Sequence, residues 1–319
     1  MKKTICFSQP AYLSSRLKQL VIEQPSEVSS GTKVVTVPLE DIAVIVLENP
    51  QITITHSALS ALIAHNVAVV TCSDKYLPNG LFLNLDGHTL QSKRFRAQLE
   101  ASQPLKKQLW AQTVQCKIRN QAAVIARTGL DPAPLLRWCN EVRSGDQDNK
   151  EARAASWYWP KLFNSQEDEV VASKLDWDGF IRDRYGLWPN ALLNYGYAVL
   201  RALVARALVA SGLLPALGIH HRNQYNAYCL ADDIMEPYRP FVDGMVYQLV
   251  KNHPDMSTAF KGIETLTPAL KRSLLSVPAL DVRINSQLSP LQEAVKKTTA
   301  SLYACFEGAE RKITYPEIP

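Results

Sequence analysis

Between Lys3 and about Asp86 the chain alternates short runs of β-branched and other apolar residues with turn-forming clusters. The runs fall at 4–7, 20–22, 33–37, 43–47, 52–55, 67–71 and 81–85. Ser29-Ser30-Gly31, Pro38, Asn49-Pro50 and Pro78-Asn79-Gly80 lie between them, residue types that favour turns or cannot complete a strand ladder. Only 57–65 has helical spacing in this region. Seven short strands in under ninety residues predict a small β-sandwich or a related packing of sheets.

After Gly87 the apolar period becomes 3.6 and stays there, first through an Ala-, Leu-, Gln-, Lys- and Arg-rich stretch at 90–127. Pro132 and Pro134 flank a turn before 135–142, a polar loop follows at 144–149, and helix resumes at about Lys150. Residues 160–190, rich in Pro, Gly, Asp and Trp, are expected to be irregular. A strongly apolar helix at 191–210 is expected to be the domain core, ended by Ser211-Gly212. The fold class predicted is α+β: an N-terminal β-sandwich domain over 1–90, then a mainly α-helical domain over 91–319.

Composition bounds this picture without changing it. The 319 residues are 46% hydrophobic and 20% charged, enough apolar content to bury a sizeable core, and disorder is excluded. The stretch 49–73 lacks Asp, Glu, Lys and Arg but carries Asn, Gln, His, Ser and Thr throughout, and 198–210 is interrupted by Arg201 and Arg206. Neither reads as a membrane span. Met1-Lys2-Lys3 leads into too few apolar residues for a signal peptide, so a cytoplasmic address is expected. The six cysteines are scattered singly, without zinc spacing, and read as buried thiols.

Charge distribution adds more. Residues 1–90 hold 6 basic and 7 acidic side chains, and the remaining 29 basic and 23 acidic give residues 91–319 a net charge of +6. Within 91–127, Lys93, Arg94, Arg96, Lys106, Lys107, Lys117, Arg119 and Arg127 face Glu100 alone. A basic stripe of this kind attracts polyanions, nucleic acid above all; the alternative is a solvated helix face balanced from elsewhere.

Two ligand-type segments then lie close in sequence. Leu217-Gly218-Ile219-His220-His221-Arg222-Asn223 is followed by Ala231-Asp232-Asp233-Ile234-Met235-Glu236-Pro237-Tyr238-Arg239-Pro240. On a helix Asp233 and Glu236, three apart, share a face; Asp232 and Asp233 cannot both use it. Adjacent histidines diverge, so one of His220 and His221 reaches the same point, and spacing does not select between them. Carboxylates with one imidazole suit Mg2+ or Mn2+, and such an ion fits phosphoryl transfer. Glu151, at a helix start among alanines, is a candidate third donor. Helix caps and dipole partners are the competing reading of all these residues.

At these residues the chain resembles a known family, CRISPR-associated protein one, in the form that accompanies single-effector CRISPR systems. The likeness rests on Val37-Pro38-Leu39-Glu40-Asp41-Ile42 and Asn49-Pro50-Gln51-Ile52 in the N-terminal part, with Leu77-Pro78-Asn79-Gly80. In the C-terminal part it rests on Glu151-Ala152-Arg153-Ala154-Ala155, Asn190-Ala191-Leu192-Leu193-Asn194-Tyr195-Gly196-Tyr197, and Gly218-Ile219-His220-His221 with Asp233-Ile234-Met235-Glu236. One departure is Trp157-Tyr158-Trp159, where many members show a Tyr-Phe pair.

The resemblance implies a metal-dependent DNA endonuclease and integrase of spacer acquisition. It selects His221 over His220, makes Glu151, His221 and Glu236 the ligands of Mg2+ or Mn2+, and makes Asp233 a supporting acid. It implies a homodimer whose β-domain serves dimerisation and partner contact, assembled with CRISPR-associated protein two in a four-to-two complex. The DNA implied is a duplex with 3′ overhangs, joined to CRISPR repeat DNA by transesterification. Lys93, Arg94, Arg96, Arg222 and Arg239 are the expected phosphate contacts, with pairing to Asp232 or Asp233 as the alternative for the last two. A non-catalytic DNA-binding scaffold is the competing function. A hydrolase of small phosphorylated molecules lacks a phosphate-binding Gly-rich loop and leaves the basic stripe without a role.

Overall fold

The computed structural model describes residues 2–25, 31–73, 78–163, 180–183, 186, 188–252 and 267–319. Most of the expected irregular stretch at 160–190 lies outside them, as do Ser29, Ser30 and Leu77. The chain is mixed α and β and divides into two compact units, Met1–Thr89 and Leu90–Pro319.

The first unit has β1 (Lys3–Phe7), β2 (Tyr12–Arg16), β3 (Gln19–Pro25), β4 (Thr32–Pro38), β5 (Ile42–Leu47), β6 (Thr53–Ile54), α1 (His56–Ala64), β7 (Ala68–Cys72) and β8 (Pro78–Phe82). They form two four-stranded sheets, ordered β1-β5-β7-β8 and β4-β3-β2-β6. β1 and β7 run parallel to β5, and β8 closes that sheet antiparallel. β5 is Ile-Ala-Val-Ile-Val-Leu, buried along nearly its whole length, as a central parallel strand covered on both faces must be. Leu13, Leu20, Ile42, Ile45 and Val69 from the two sheets share one core with Ala58 and Leu62 of α1. α1 starts at Thr55, whose hydroxyl accepts from the Ala58 amide.

Two features depart from the strand pattern. β2, Tyr-Leu-Ser-Ser-Arg, has no apolar run and owes its place to pairing: it is antiparallel to β3 and parallel to β6. Leu17 and Lys18, which join β2 to β3, both have positive φ, the backbone a two-residue hairpin needs whatever the residue type. The parallel pairs β1–β5, β2–β6 and β5–β7, the last with α1 in its connection, also make this unit a mixed-sheet architecture rather than an all-antiparallel one.

The second unit holds α2 (Gln91–Glu100), α3 (Gln103–Arg127), α4 (Ala133–Glu141), α5 (Lys150–Phe163), α6 (Asn190–Ala210), α7 (Cys229–Met235), α8 (Arg239–Asn252), α9 (Pro268–Leu275) and α10 (Leu291–Glu307). A short hairpin, β9 (Asp281–Ile284) and β10 (Gln287–Pro290), precedes α10. The expected helical stretch 90–127 is two helices, because Ser102 caps α3 through the Leu105 amide and Pro104 suits its first turn. α6 is long and apolar enough to cross a membrane, but 83% of its most apolar window is buried inside the protein, as a core helix would be. Gly196 on α6 faces Val242 of α8, whose Cγ1 would lie 2.5 Å from an added Cβ; the two helices approach closely there. All six cysteines are free; Cys116, Cys139, Cys229 and Cys305 are buried.

α3 is the scaffold of this unit. Asn120, buried at its middle, donates to the main-chain oxygens of Pro237 (2.8 Å) and Pro316 (3.0 Å) and accepts from the Ile318 amide. One side chain thus ties the 3-10 turn Glu236–Tyr238, and with it Glu236, to α3.

Candidate functional site

Glu151 enters the site through its own helix start. Gly145 and Asp146 both have positive φ in the turn before α5. That turn places the Asp146 carboxylate to accept from the amides of Lys150 (2.9 Å) and Glu151 (3.0 Å), two donors a helix start leaves unpaired. Glu151 also fits the favourable sign for a first-turn acid. Ala154, fully buried one position behind the turn, lets α5 pack tightly.

The Lys117 ammonium lies 2.6 Å from Glu151 Oε1 and 2.6 Å from Glu236 Oε2. Arg239 Nε lies 3.0 Å from the other oxygen of Glu236. Both oxygens of Glu236, only 4% exposed, therefore meet cations. Stripped of them it would cost several kcal/mol, of order 3–5, to keep buried and charged. Burial alone would raise the Glu236 carboxyl; Arg239 and Lys117 outweigh it and hold the group below the ordinary carboxylate range. Burial likewise pulls on Lys117 in the neutral direction, and Glu236 with Glu151 overcomes it, leaving the ammonium more firmly charged than usual.

His221 stands beside this cluster and is fixed by Asp233. The fully buried Asp233 accepts from the His220 amide (2.9 Å), the His221 amide (3.2 Å) and His221 Nδ1 (2.5 Å). Because a carboxylate only accepts, Nδ1 carries the proton and Nε2 remains for a ligand. A carboxylate behind an imidazole is how metal-binding histidines are commonly oriented. The Asp233 bond raises the His221 pKa above the ordinary histidine value, against burial and with help from Glu236 and Glu151. Trp110 of α3 completes the cradle: its ring stacks on His220 at 4.0 Å and meets His221 edge-on at 5.7 Å. Burial, then the neighbouring His221, lowers His220, which packs as a neutral ring.

Gly218 explains the spacing before the histidines. An added Cβ would lie 2.4 Å from the His221 carbonyl oxygen and 2.7 Å from Asp233 Oδ2, so only glycine permits this loop. Asp232 and Asp233 point apart as adjacent residues must. Asp232 pairs with Arg201 Nε at 2.6 Å and accepts from Asn226.

The five expected phosphate contacts occupy different surroundings. Arg222 is exposed and donates to Gln103 rather than to Asp232 or Asp233. Arg239 is bound to Glu236 and lies over the Tyr197 ring at 4.8 Å. Arg94 donates to the Ser211 carbonyl and stacks on Tyr303, both structural roles. Lys93 pairs with Glu307 on the surface, and Arg96 is exposed close by, lining the same shallow cavity. The basic stripe is therefore not one solvated face: Lys117 is turned inward to the carboxylates and Arg94 is half-buried. A cavity of about 460 Å³ adjoins the half-exposed His221 and is lined by Lys106, Arg222, Gln98 and Asn226 among others. Burial, and then the Arg222 charge, lowers the Lys106 pKa; two cations that make no ion pair with an acid among the described residues share this cleft.

Among the described residues no three His, Cys, Asp or Glu side chains are gathered as a ready metal cage. The donor types nonetheless fit a hard divalent ion, and Lys117 acts as a stand-in cation showing that Glu151 and Glu236 converge on one positive charge. Sequence reasoning placed Glu151, His221, Asp233 and Glu236 as candidates but missed Trp110, Asn120, Asp146 and the inward turn of Lys117.

A β-rich unit followed by a helical unit, with two carboxylates converging on a lysine beside a carboxylate-held imidazole, makes this a mixed α and β protein with a partly buried acidic and histidine cluster in its helical unit. Residues 4–275 match the family described as CRISPR associated protein Cas1, and the chain belongs to that family. It is 40% identical over 309 residues to the CRISPR-associated endonuclease Cas1 of Neisseria meningitidis serogroup C (strain 8013), covering 96% of this chain and 93% of that one. Among solved structures it is similar to a casposase bound to integration product, with TM-score 0.78 and 20% identity over 98% of this chain and 92% of the other. A Cas1 protein from Thermotoga maritima shares the fold at TM-score 0.73 and 15% identity, over 96% and 97% of the two chains.

Proposed function

We propose that the protein is a divalent-metal-dependent DNA endonuclease and integrase of CRISPR adaptation. The observation that carries the reading is the pair Glu151 and Glu236 converging on one cation, beside an imidazole held by Asp233, with a cationic cleft adjoining. The 40% identical Neisseria relative is named as an endonuclease and supports the same chemistry.

In this reading Glu151, Glu236 and Nε2 of His221 hold Mg2+ or Mn2+. The ion, when bound, neutralises charge developing on a phosphodiester and acidifies an attacking hydroxyl. Asp233 fixes the tautomer and direction of His221, Asp146 fixes Glu151, and Asn120 fixes the turn carrying Glu236. Lys106 and Arg222 take phosphate oxygens along the cleft, contributing salt-dependent affinity rather than sequence choice. The reaction is transesterification: the 3′ hydroxyl oxygen of a captured fragment bonds to phosphorus at a repeat boundary and loses its proton. The displaced strand leaves with a 3′ hydroxyl. Lys93 and Arg96 extend phosphate contact over the surface of α2.

The same reading makes residues 1–90 a sandwich-type unit for dimerisation and partner contact, and residues 91–319 the catalytic and DNA-binding unit. A homodimer joins a Cas2 partner in a four-to-two complex, at a cytoplasmic address, on duplex DNA with 3′ overhangs and on CRISPR repeat DNA. A solved Cas6-RT-Cas1–Cas2 complex contains a chain of this fold. Strand transfer of a labelled overhanging duplex into a repeat-bearing plasmid, with Mn2+ or with EDTA and with the partner supplied, tests it. Glu151→Gln, His221→Ala and Glu236→Gln each abolish joining while DNA binding persists.

One observation favours a second reading, a non-catalytic DNA-holding scaffold: Lys117 and Arg239 already neutralise both carboxylates. Under it wild type binds DNA but joins none with any metal, and the same variants lose stability.

A further inference from the structure

The two cations beside Glu236 are held differently. Arg239 is fixed, its guanidinium stacked over Tyr197 at 4.8 Å and ion-paired to Glu236 Oε1 at 3.0 Å. Lys117 reaches the site from α3 on a flexible four-carbon stem and touches one oxygen of each carboxylate. Glu151 and Glu236, with the Asp233 carboxylate beside them, supply three negative charges against the two positive ones of Lys117 and Arg239. A divalent cation added to this set would leave it net positive, whereas one exchanged for Lys117 evens the count, and of the two resident cations Lys117 is the one that touches both carboxylates such an ion would use. An ion held by the same two oxygens at about 2.0–2.1 Å, as Mg2+ requires, would stand close to the ammonium, and the two like charges repel.

We propose that Lys117 is a resident counter-ion that a divalent cation displaces. In the metal-free protein it holds Glu151 and Glu236 together and keeps the buried Glu236 ionised. On metal binding it withdraws from between them, so that the carboxylates exchange one cation for another. Lys117 thereby sets the concentration of metal at which the site loads. This inference rests on the proposed metal dependence and adds a role for a residue outside the donor set.

The test uses full-length, metal-stripped protein. Mn2+ binding is measured by calorimetry and by the paramagnetic signal of free Mn2+, for wild type, Lys117→Met and Lys117→Arg. The expected result is binding at least tenfold tighter in Lys117→Met than in wild type, with a lower melting temperature of the metal-free protein that Mn2+ restores. Lys117→Arg, still charged, shows no such tightening. Should Lys117→Met fail to fold, amine-reactive labelling of wild type supplies the readout: Lys117 is protected without Mn2+ and becomes labelled with it. Binding unchanged or weakened in Lys117→Met overturns the inference. So does unchanged Lys117 labelling while Mn2+ binds wild type and fails to bind Glu236→Gln. Absence of Mn2+ binding by wild type, or binding that survives Glu236→Gln and Glu151→Gln, instead removes the metal reading itself.

Discussion

Replacing Asp233 by asparagine tests how the histidine is held. The substitution conserves volume, so no cavity forms, but it turns one carboxylate end into a donor. Asp233 now accepts three hydrogen bonds, from two main-chain amides and from His221 Nδ1, and is completely buried. With asparagine at least one of those N–H groups faces another N–H. A buried donor left unpaired costs about 1–3 kcal/mol, and the weakened bond to Nδ1 adds about 1 kcal/mol, for roughly 3 kcal/mol in all. At about 2–4 °C per kcal/mol for a unit of this size, the melting temperature falls by about 6–12 °C.

Metal affinity falls about 10–100-fold, the usual effect of losing such a support. A pH signature separates this from general loosening. Protonated imidazole cannot ligate, so affinity for Mn2+ rises with pH through the His221 pKa, which Asp233 holds above the ordinary value of about 6.5. In Asp233→Asn the rise moves to lower pH. Differential scanning fluorimetry and Mn2+ calorimetry between pH 5.5 and 8.5, a range set around that value, provide the measurements. A melting temperature within about 2 °C of wild type, with an unshifted pH rise, refutes the account of His221.

Two further substitutions probe the supporting structure. Gly218→Ala forces the His221 carbonyl and the Asp233 carboxylate apart, and thermal melts show a loss of about 2 kcal/mol or more together with weaker Mn2+ binding; a stable variant with normal binding contradicts the close approach. Asp243, buried between the hydroxyls of Tyr158 (3.1 Å) and Tyr197 (2.5 Å), has its carboxyl pushed up to about 7 by burial, although both hydroxyls and the Arg182 and Arg239 charges oppose it. Its raised pKa means the folded protein binds this proton more tightly than the unfolded chain. Stability therefore falls as pH rises from about 4 to about 7 and levels off above. Asp243→Asn flattens that slope in denaturant titrations; an unchanged slope sinks the assignment.

Elements with strong local patterns were legible. β5 is a continuous apolar strand, α6 a predominantly apolar helix, and both form where the pattern put them. β2 and the β9–β10 hairpin were not, because Tyr12–Arg16 and Asp281–Pro290 have little apolar content; they are ordered by strand pairing, β2 with β3 and β6, and β9 with β10 and Glu317. The break between α2 and α3 was written in Ser102 and Pro104, a cap and a first-turn proline inside an otherwise helical stretch. In the site, His221, Asp233 and Glu236 lie within 16 residues of one another, so local spacing exposed the two acids and the His220-His221 pair, and only the family resemblance chose His221. Lys117 meets Glu151 and Glu236 from a distant helix. Its only signal was membership of the basic stripe, which pointed outward to solvent rather than inward to carboxylates. Trp110 gave no signal, since an aromatic residue on a core helix has the same pattern whether it packs on leucine or on histidine.

The central claim is that Glu151, His221 and Glu236 together hold an ion that drives DNA strand transfer. Its most direct measurement is the joining of a labelled, 3′-overhanging duplex to repeat-bearing supercoiled plasmid, by wild type and by His221→Ala, with Mn2+ and with EDTA. The account predicts Mn2+-dependent joining by wild type and none by His221→Ala, with duplex binding retained by both. Joining by His221→Ala at the wild-type rate, or joining that persists in EDTA, contradicts it.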